Sequence, residues 1–298
     1  ITNITREHLD YHVSMEKYRQ AKLKLFCRAK TAIVNLDLNE PEEFLNDNLE
    51  RAYFYTISDN ALQAKAMVVR AESVSLSPEG SKFRVKNEEW DQEFTLNLPG
   101  KFNVENALAA ICMGISEDVR MSDVARALSE IKLVPGRMEK IPNGLGLDIF
   151  VDYAVTPDSL EKLYEYLSDI RSKKCHPEFI SGSQNKNEML ISHAGQHDSC
   201  RIIAVFGSCG ERDRGKRPIM GKIVSNHADF VIVTNEDPYG ENEADIINQV
   251  FSGVVGYGVE GKLPNLKFSI SNDQVSNGKK VEGKNAWRIL DRRVAIRE

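Results

Sequence analysis

The apolar residues of this chain fall into short blocks whose spacing alternates between that of strands and that of helices. Compact blocks predict strands at residues 31–35, 51–57, 66–75, 83–85, 94–98, 148–153, 201–206, 229–234 and 266–270. Apolar residues three and four positions apart predict helices at residues 15–27, 103–115, 121–131, 157–170, 217–227, 243–251 and 286–297. From residue 148 onward, strands that alternate with helices indicate an α/β fold with a parallel, doubly wound sheet.

A Pro-Gly pair at Val134-Pro135-Gly136 interrupts this pattern and marks a hinge. We therefore predict two domains, residues 1–134 and 135–298. Residues 173–199 are polar and separate a predicted helix from the strand that should follow within a few residues. We interpret this segment as an inserted surface loop and expect it to be disordered.

Composition narrows the class of protein. With 298 residues, 41% hydrophobic and 28% charged, the chain can bury the cores of about two domains. A net charge of −5 disfavours nucleic-acid binding. The sequence contains neither a signal peptide nor an apolar run of the roughly 18 residues that span a bilayer. We expect a cytoplasmic protein without membrane insertion, and the five scattered cysteines are expected to be reduced.

The segment ITNITREHLDYH places His8 fourteen residues before Lys22. On one straight helix these residues would lie about 21 Å apart and could not share an ion. A break near Val13, with Ser14 as the cap of the next helix, would bring them together. By composition alone, however, Lys22 is a solvated helix lysine and His8 a structural histidine.

Four further motifs follow in order: LPGKFNVEN at 98–106, VPGRME at 134–139, VDYAVTPD at 151–158 and FGSCGERDRGKR at 206–217. Together with the first segment, they closely resemble the Mur ligases, the ATP-dependent enzymes that build the peptidoglycan stem peptide. The resemblance covers most of the chain outside residues 173–199. It implies the later part of the family's central ATP-binding domain, followed by a Rossmann-like C-terminal domain.

The resemblance implies a magnesium site at His8 and Lys22. A lysine ammonium offers only donors and cannot bind a metal ion. In Mur ligases the matching lysine reacts with carbon dioxide to give a carbamate, whose oxygens suit Mg²⁺. His8 and Lys22 are thus the expected metal ligands and catalytic residues.

The resemblance also implies the ATP-binding residues. Asn103 matches an asparagine that approaches the nucleotide base, Arg137 an arginine that reaches ATP, and Asp152 a carboxylate that contacts the nucleotide. The family pattern DYAHTPD has a histidine where this chain has Val155, so one polar contact near the nucleotide is lost.

For the incoming amino acid, the resemblance assigns Arg212 to its carboxylate. The loop TNEDPYG at 234–240 occupies the specificity loop, which reads DNPR in enzymes that add meso-diaminopimelate. Here Tyr239 replaces the arginine and Asp237 the asparagine, so a cation for the distal carboxylate is lost and an anion is gained. We therefore expect L-lysine or another diamine rather than meso-diaminopimelate.

The implied reaction joins an amino acid to UDP-N-acetylmuramoyl-L-Ala-D-Glu through an acyl phosphate, with ATP and Mg²⁺, in an enzyme that we expect to be monomeric. No G-x-x-x-x-G-K-[ST] loop and no N-terminal UDP-sugar domain occur in the sequence, so we interpret it as a fragment that does not itself use ATP.

Three alternatives remain open at this point. One is a sister ligase, either the enzyme that adds the terminal dipeptide or folylpolyglutamate synthase. Another is a non-catalytic nucleotide-binding remnant. The third is a zinc site in the insertion, which the residues Cys175, His176, His193, His197 and Cys200 superficially resemble although no CxxC pair anchors them.

Overall fold

The computed structural model describes residues 1–6, 9–60, 66–175, 200–256 and 280–297. The contacts within the chain divide it into two compact units. The first comprises Ile1–Thr5 and Tyr11–Tyr153, and the second comprises Arg6–Asp10 and Ala154–Glu298. The division after Tyr153 differs from the sequence-based boundary after Val134 by one short hairpin, which makes its contacts with the first unit.

The first part of the chain forms a mixed sheet with helices. The helices are α1 (Leu9–His12), α2 (Met15–Phe26), α3 (Lys101–Ser116) and α4 (Met121–Glu130), with a 3₁₀ turn at Pro41–Phe44. The sheet contains β1 (Thr31–Asn35), β2 (Arg51–Thr56), β3 (Met67–Ser77), β4 (Gly80–Lys86) and β5 (Asp91–Leu96), in that order. Strands β1 to β3 are parallel, whereas β3 to β5 are antiparallel. A separate antiparallel hairpin joins β6 (Glu139–Ile141) to β7 (Ile149–Val151), and β6 was not predicted.

Strand β2 shows why helices cover both faces of this sheet. Its side chains alternate between the faces. Phe54 packs in one buried cluster with Phe26 of α2, whereas Tyr55 packs in the other cluster with Leu108 of α3. All four side chains are at least nine-tenths buried. Burial on both faces agrees with the continuous apolar pattern of the parallel strands.

The predicted break before α2 is confirmed. Val13 has a φ of 67°, in the left-handed region, and Ser14 caps the helix by accepting a hydrogen bond from the Lys17 amide at 3.2 Å. Helix α4 has no such cap, because Arg120 occupies the N-cap position and provides no side-chain hydrogen bond. Asp123 instead pairs with Arg120 and Arg126 at the surface.

The second unit contains a three-stranded parallel sheet in the order β10-β9-β8. Its elements are α5 (Pro157–Cys175), β8 (Ile203–Phe206), α6 (Lys216–His227), β9 (Phe230–Thr234), α7 (Glu243–Val255), β10 (Ala286–Ile289) and α8 (Arg292–Arg297). Buried residues of α5, α6 and α7 cover one face of the sheet. On the other face, Ala295 of α8 packs against Phe230, Ile232 and Trp287. The α/β class and the parallel sheet predicted from the sequence are thus confirmed.

The predicted last helix at residues 286–297 is wrong in its first half. Residues 286–289 form β10, because Trp287 and Arg288 pair with Ile232 and Val233 of β9 and Trp287 is buried. The helix begins only after Asp291, whose carboxylate accepts hydrogen bonds from the amides of Arg293 and Val294.

Some predictions fall on residues that the structure does not describe. The strand at 266–270 and residues 176–199 of the expected insertion, including His176, His193 and His197, lie outside the described residues.

Among the described cysteines, Cys27, Cys112 and Cys209 are free, as expected, but Cys200 is disulfide-bonded, so the expectation of reduced thiols is wrong there. Within the described ranges, no helix has the length and apolar composition needed to cross a membrane.

Helices α6 and α7 approach each other through two glycines. A Cβ atom added at Gly221 would lie 2.0 Å from the carbonyl oxygen of Val250, and one added at Gly253 would lie 1.9 Å from that of Pro218. Both contacts are with backbone atoms, which cannot move away by changing rotamer as a flexible side chain can. Any larger residue at either position must therefore separate the helices.

The substitution Gly221→Ala is expected to lower the free energy of unfolding of the second unit by about 1–3 kcal/mol, as for other overpacked sites. The gain of about 1 kcal/mol in helix propensity does not compensate for a backbone clash. Urea unfolding followed by circular dichroism measures the change. Gly144→Ala is the control, because nothing lies within 4 Å of its added Cβ. Equal stability of the two variants would contradict this close contact.

Candidate functional site

Of the two predicted metal ligands, the structure describes Lys22. Lys22 is half-buried on α2, whereas its neighbours Lys17 and Lys24 are exposed. Its ammonium lies 5.3 Å from the centre of the Tyr18 ring. Lys22 thus lies beside an aromatic ring of its own helix and is less exposed than the neighbouring lysines.

His8, the predicted partner of this lysine, lies outside the described residues. The pairing of His8 with Lys22 stays a prediction. In the part of the chain that the structure describes, no group of three or more His, Cys, Asp or Glu residues is arranged to hold a metal ion.

The VPGR motif folds as a tight turn that presents Arg137. The Arg137 amide donates to the Val134 carbonyl at 3.0 Å, and Gly136 has a φ of 67°, the pattern of a type II turn with proline in second place. A Cβ atom at Gly136 would lie 2.3 Å from the Tyr153 ring. The exposed Arg137 guanidinium lies 5.7 Å from the centre of that ring. Glycine therefore allows the turn and the aromatic ring to meet.

The structure brings Arg137 and Asp152 together on this hairpin. The Asp152 carboxylate accepts a hydrogen bond from the Met138 amide at 2.8 Å, next to Arg137. The Tyr153 amide donates to the Gly136 carbonyl at 2.8 Å. Met138 itself is buried with a φ of 50°. Two of the predicted nucleotide-binding residues thus share one small, strained element.

The third predicted nucleotide-binding residue, Asn103, lies in the first turn of α3. It follows Gly100, whose φ of 93° sets the sharp entry into the helix. The Asn103 side chain is 6% exposed, and its amide donates to the Pro99 carbonyl at 2.7 Å. This contact fixes the amide orientation at the turn.

The predicted acceptor residues lie on two loops that follow adjacent parallel strands. We call residues 206–217, after β8, the acceptor loop and residues 234–241, after β9, the specificity loop. The Gly210 amide donates to the Asp237 carbonyl at 2.7 Å, and a Cβ atom at Gly210 would lie 1.8 Å from the Pro238 carbonyl oxygen. The guanidinium of Arg212 lies 5.8 Å from the centre of the Tyr239 ring. The structure thus brings Arg212, Asp237 and Tyr239 together.

Sequence reasoning missed the ion pair that joins these loops. Arg217 is completely buried and donates to both carboxylate oxygens of Glu241, at 2.9 and 3.0 Å. These hydrogen bonds are the largest cause that lowers the pKa of Glu241 from its usual value to about 2. The only sequence signal was two charged residues in two different loops, and such residues are usually solvated.

Lys216, the neighbour of Arg217, is also buried and donates to the Val155 carbonyl at 2.8 Å. Val155 occupies the position where the resemblance led us to expect a histidine side chain. This hydrogen bond fixes the backbone at Val155 against the first turn of α6 and does not depend on the side chain at that position.

Polar groups without partners lie at the same end of the sheet. The hydroxyls of Ser208 and Thr234 are buried without a hydrogen-bond partner among the described residues. A cleft of about 440 Å³ lies beside the ends of β9 and β10, lined by Asn235, Glu236, Asp237, Glu243, Leu290, Asp291 and Arg292. Four of these seven residues are acidic and one is basic, so the cleft favours a cation.

A parallel sheet with helices on both faces and charged loops at the carboxyl ends of its strands defines the class of doubly wound α/β proteins that bind ligands there. Residues 1–114 match the Mur ligase middle domain, and residues 184–296 match the Mur ligase, glutamate ligase domain. The chain belongs to the Mur ligase family.

Two relatives and one solved structure illustrate the similarity. A UDP-N-acetylmuramoyl-L-alanyl-D-glutamate–2,6-diaminopimelate ligase of Caldanaerobacter subterraneus subsp. tengcongensis is 32% identical, over 92% of this chain and 51% of the relative. A UDP-N-acetylmuramyl-tripeptide synthetase of Roseiflexus sp. is 36% identical, over 86% of this chain and 47% of the relative. The structure of a UDP-N-acetylmuramate-alanine ligase from Thermotoga maritima matches all of this chain and 57% of its own, with a TM-score of 0.55 and 21% identity, which supports the fold alone. The chain spans about half the length of the curated relatives that it matches.

The pKa of Glu241 predicts how stability depends on pH. Because this pKa is lowered in the folded state, the stabilisation is fully present above the unfolded value of 4.5 and is lost as the pH falls towards about 2. Glu241→Gln is expected to remove roughly 3 kcal/mol at neutral pH and to flatten the acid limb of the stability curve. Urea unfolding at a series of pH values tests this. Glu165→Gln, an exposed site on α5, is the control. The same pH dependence in both variants would refute the assignment.

Proposed function

We propose that this protein acts as an ATP-dependent amide ligase that adds the third amino acid to UDP-N-acetylmuramoyl-L-Ala-D-Glu in peptidoglycan synthesis. The observation that carries the proposal is the meeting of Arg212, Asp237 and Tyr239 on two joined loops. The tripeptide-synthetase and diaminopimelate-ligase names of relatives above 30% identity support it. Those names favour the third-residue reaction over the sister ligases.

The proposed reaction has two steps. The free carboxylate of the dipeptide attacks the γ-phosphorus of ATP, which gives an acyl phosphate and ADP. The amine of the incoming amino acid then attacks the acyl carbon, and inorganic phosphate leaves as the amide bond forms. Mg²⁺ would neutralise charge on the phosphates, held by His8 and by Lys22 as a carbamate. Asn103, Arg137 and Asp152 would orient the nucleotide.

For the second step, the acceptor loop would bind the amino acid through Arg212 at its carboxylate. A guanidinium can donate two parallel hydrogen bonds to a carboxylate, which fixes its orientation. The exposed Arg212 lies over the Tyr239 ring, so its guanidinium is accessible to a ligand beside the specificity loop. Binding in this way would leave the amine to reach the acyl carbon.

The incoming amino acid is proposed to be L-lysine or another diamine. Tyr239 lies where a diaminopimelate enzyme has an arginine, and Asp237 adds an anion. The neighbouring cleft contributes the further carboxylates Glu236, Glu243 and Asp291. A side-chain ammonium would be stabilised there, whereas a distal carboxylate would meet anions and an aromatic ring.

Acceptor preference is tested with the full-length gene product, UDP-N-acetylmuramoyl-dipeptide, ATP and Mg²⁺. The wild type is expected to incorporate L-lysine faster than meso-diaminopimelate. Tyr239→Arg is expected to shift the ratio of kcat/KM values towards diaminopimelate by about tenfold, or about 1.4 kcal/mol. Tyr239→Phe keeps the ring and should keep the wild-type ratio. A wild-type preference for diaminopimelate would remove the diamine proposal.

The role of Lys22 is tested by Lys22→Arg, which keeps a cation but cannot form the carbamate. Activity is expected to fall by on the order of a hundredfold, as for other groups that stabilise charge in a transition state. The wild type, but not the variant, should show a carbamate signal in ¹³C NMR with labelled bicarbonate. Lys24→Arg, at an exposed site on the same helix, is the control. Full activity of Lys22→Arg would exclude the carbamate.

A further inference from the structure

We propose that Arg217 and Glu241 are positioning residues of the acceptor site: their buried ion pair holds the acceptor and specificity loops in one arrangement and thereby sets affinity and selectivity for the incoming amino acid. This inference rests on the proposed ligase function for its kinetic consequence. Its structural part, the joint ordering of the two loops, is independent of that function.

Arg217 donates hydrogen bonds to two residues besides its ion-pair partner Glu241. Besides both Glu241 oxygens, its guanidinium donates to the Gln249 side chain at 2.8 Å and to the Cys209 carbonyl at 3.1 Å. One planar group therefore joins the acceptor loop, the specificity loop and helix α7. A lysine has a single ammonium on a flexible stem and cannot reproduce this fork.

Glu241 connects the loops from the other side. Its carboxylate accepts a hydrogen bond from the Glu211 amide at 2.6 Å, and the Glu211 carboxylate in turn accepts one from the Gly240 amide at 3.1 Å. Arg214 also pairs with Glu241 at 3.2 Å, but the Arg214 side chain is 68% exposed. Glu211 directly precedes Arg212, and Gly240 directly follows Tyr239. These hydrogen bonds therefore surround the two predicted acceptor residues.

The backbone at these positions needs support. Glu211 and Tyr239 each have a φ of 50°, in the left-handed region that residues with a side chain rarely adopt. Such conformations persist only where the surrounding structure holds them. The hydrogen bonds of Arg217 and Glu241 span both loops here, alongside those from the Gly210 amide to the Asp237 carbonyl and from the Gly240 amide to the Glu211 carboxylate. Without them the backbone is expected to relax, and Arg212 and Tyr239 would lose their mutual placement.

The helices that carry Arg217 and its partner Gln249 are held rigidly against each other. Arg217 lies in the first turn of α6 and Gln249 in α7, and these helices touch through Gly221 and Gly253 with no room for a Cβ atom. The guanidinium is thus fixed by close-packed helices, and the loops take their position from it.

Steady-state kinetics of the full-length gene product tests the inference. Arg217→Lys and Glu241→Gln are expected to raise KM for the acceptor amino acid by about tenfold and to reduce the preference between L-lysine and meso-diaminopimelate, while KM for ATP stays within about twofold. Arg214→Gln is the matched control, because it removes an exposed arginine from the same carboxylate. It should leave all three quantities within about twofold of the wild type.

Hydrogen–deuterium exchange of the same variants gives a readout that does not need activity. Both loops, 206–217 and 234–241, are expected to exchange faster together in Arg217→Lys and in Glu241→Gln, but not in Arg214→Gln. Faster exchange only in the loop that carries the substitution would overturn the inference. An unchanged acceptor KM in a less stable but active variant, or an equal rise in KM for ATP, would also overturn it.

The two proposals fail in distinguishable ways. If the wild type incorporates neither amino acid, the proposed function fails, and the exchange experiment still decides whether the pair orders both loops. If Arg217→Lys does not fold, Glu241→Gln, which removes charge at constant shape, decides the same question.

Discussion

The second unit depends on a guanidinium with no exposed surface. Removing Arg217 from water would be costly without a partner, and Glu241 repays that cost through two hydrogen bonds and an opposite charge. Breaking such a pair costs about 3–5 kcal/mol, because one charge is left buried alone. The pair lies at the carboxyl end of the parallel sheet, where the two loops carrying Arg212 and Tyr239 leave their strands. The buried charge of Arg217 therefore determines how the two loops place Arg212 and Tyr239 at the surface of the unit.

Both units place predicted site residues next to backbone in the left-handed region. In the first unit Gly136 and Met138 flank Arg137, and Asp152 holds the Met138 amide. In the second unit Glu211 precedes Arg212, and Tyr239 is itself left-handed. Turns of this kind project a side chain in a direction that regular strands and helices do not provide. In each case a carboxylate that binds a backbone amide stabilises the unusual conformation.

Local patterns predicted most of the fold. Periodicity identified the α/β class and most elements, and Ser14 marked the start of α2 because a capping hydroxyl acts within three residues. The errors arose where contacts between residues distant in the sequence determine the secondary structure. Residues 286–289 form a strand because β9 offers a pairing edge, and β6 is too short to show a period. Arg137, Asp152, Arg212, Asp237 and Tyr239 were predicted as site residues from family resemblance, whereas the Arg217–Glu241 pair depends on folding that brings two loops together.

The contact of Gly210 with Pro238 restricts how these loops can change. With 1.8 Å between an added Cβ atom and the Pro238 oxygen, and with the Gly210 amide bonded to the Asp237 carbonyl, neither loop can gain or lose a residue here without moving the other. Exposed side chains such as Tyr239 have no such restriction. Divergence in amino-acid preference should therefore proceed by point replacements on loops of constant length, with insertions and deletions confined to more distant parts of the chain.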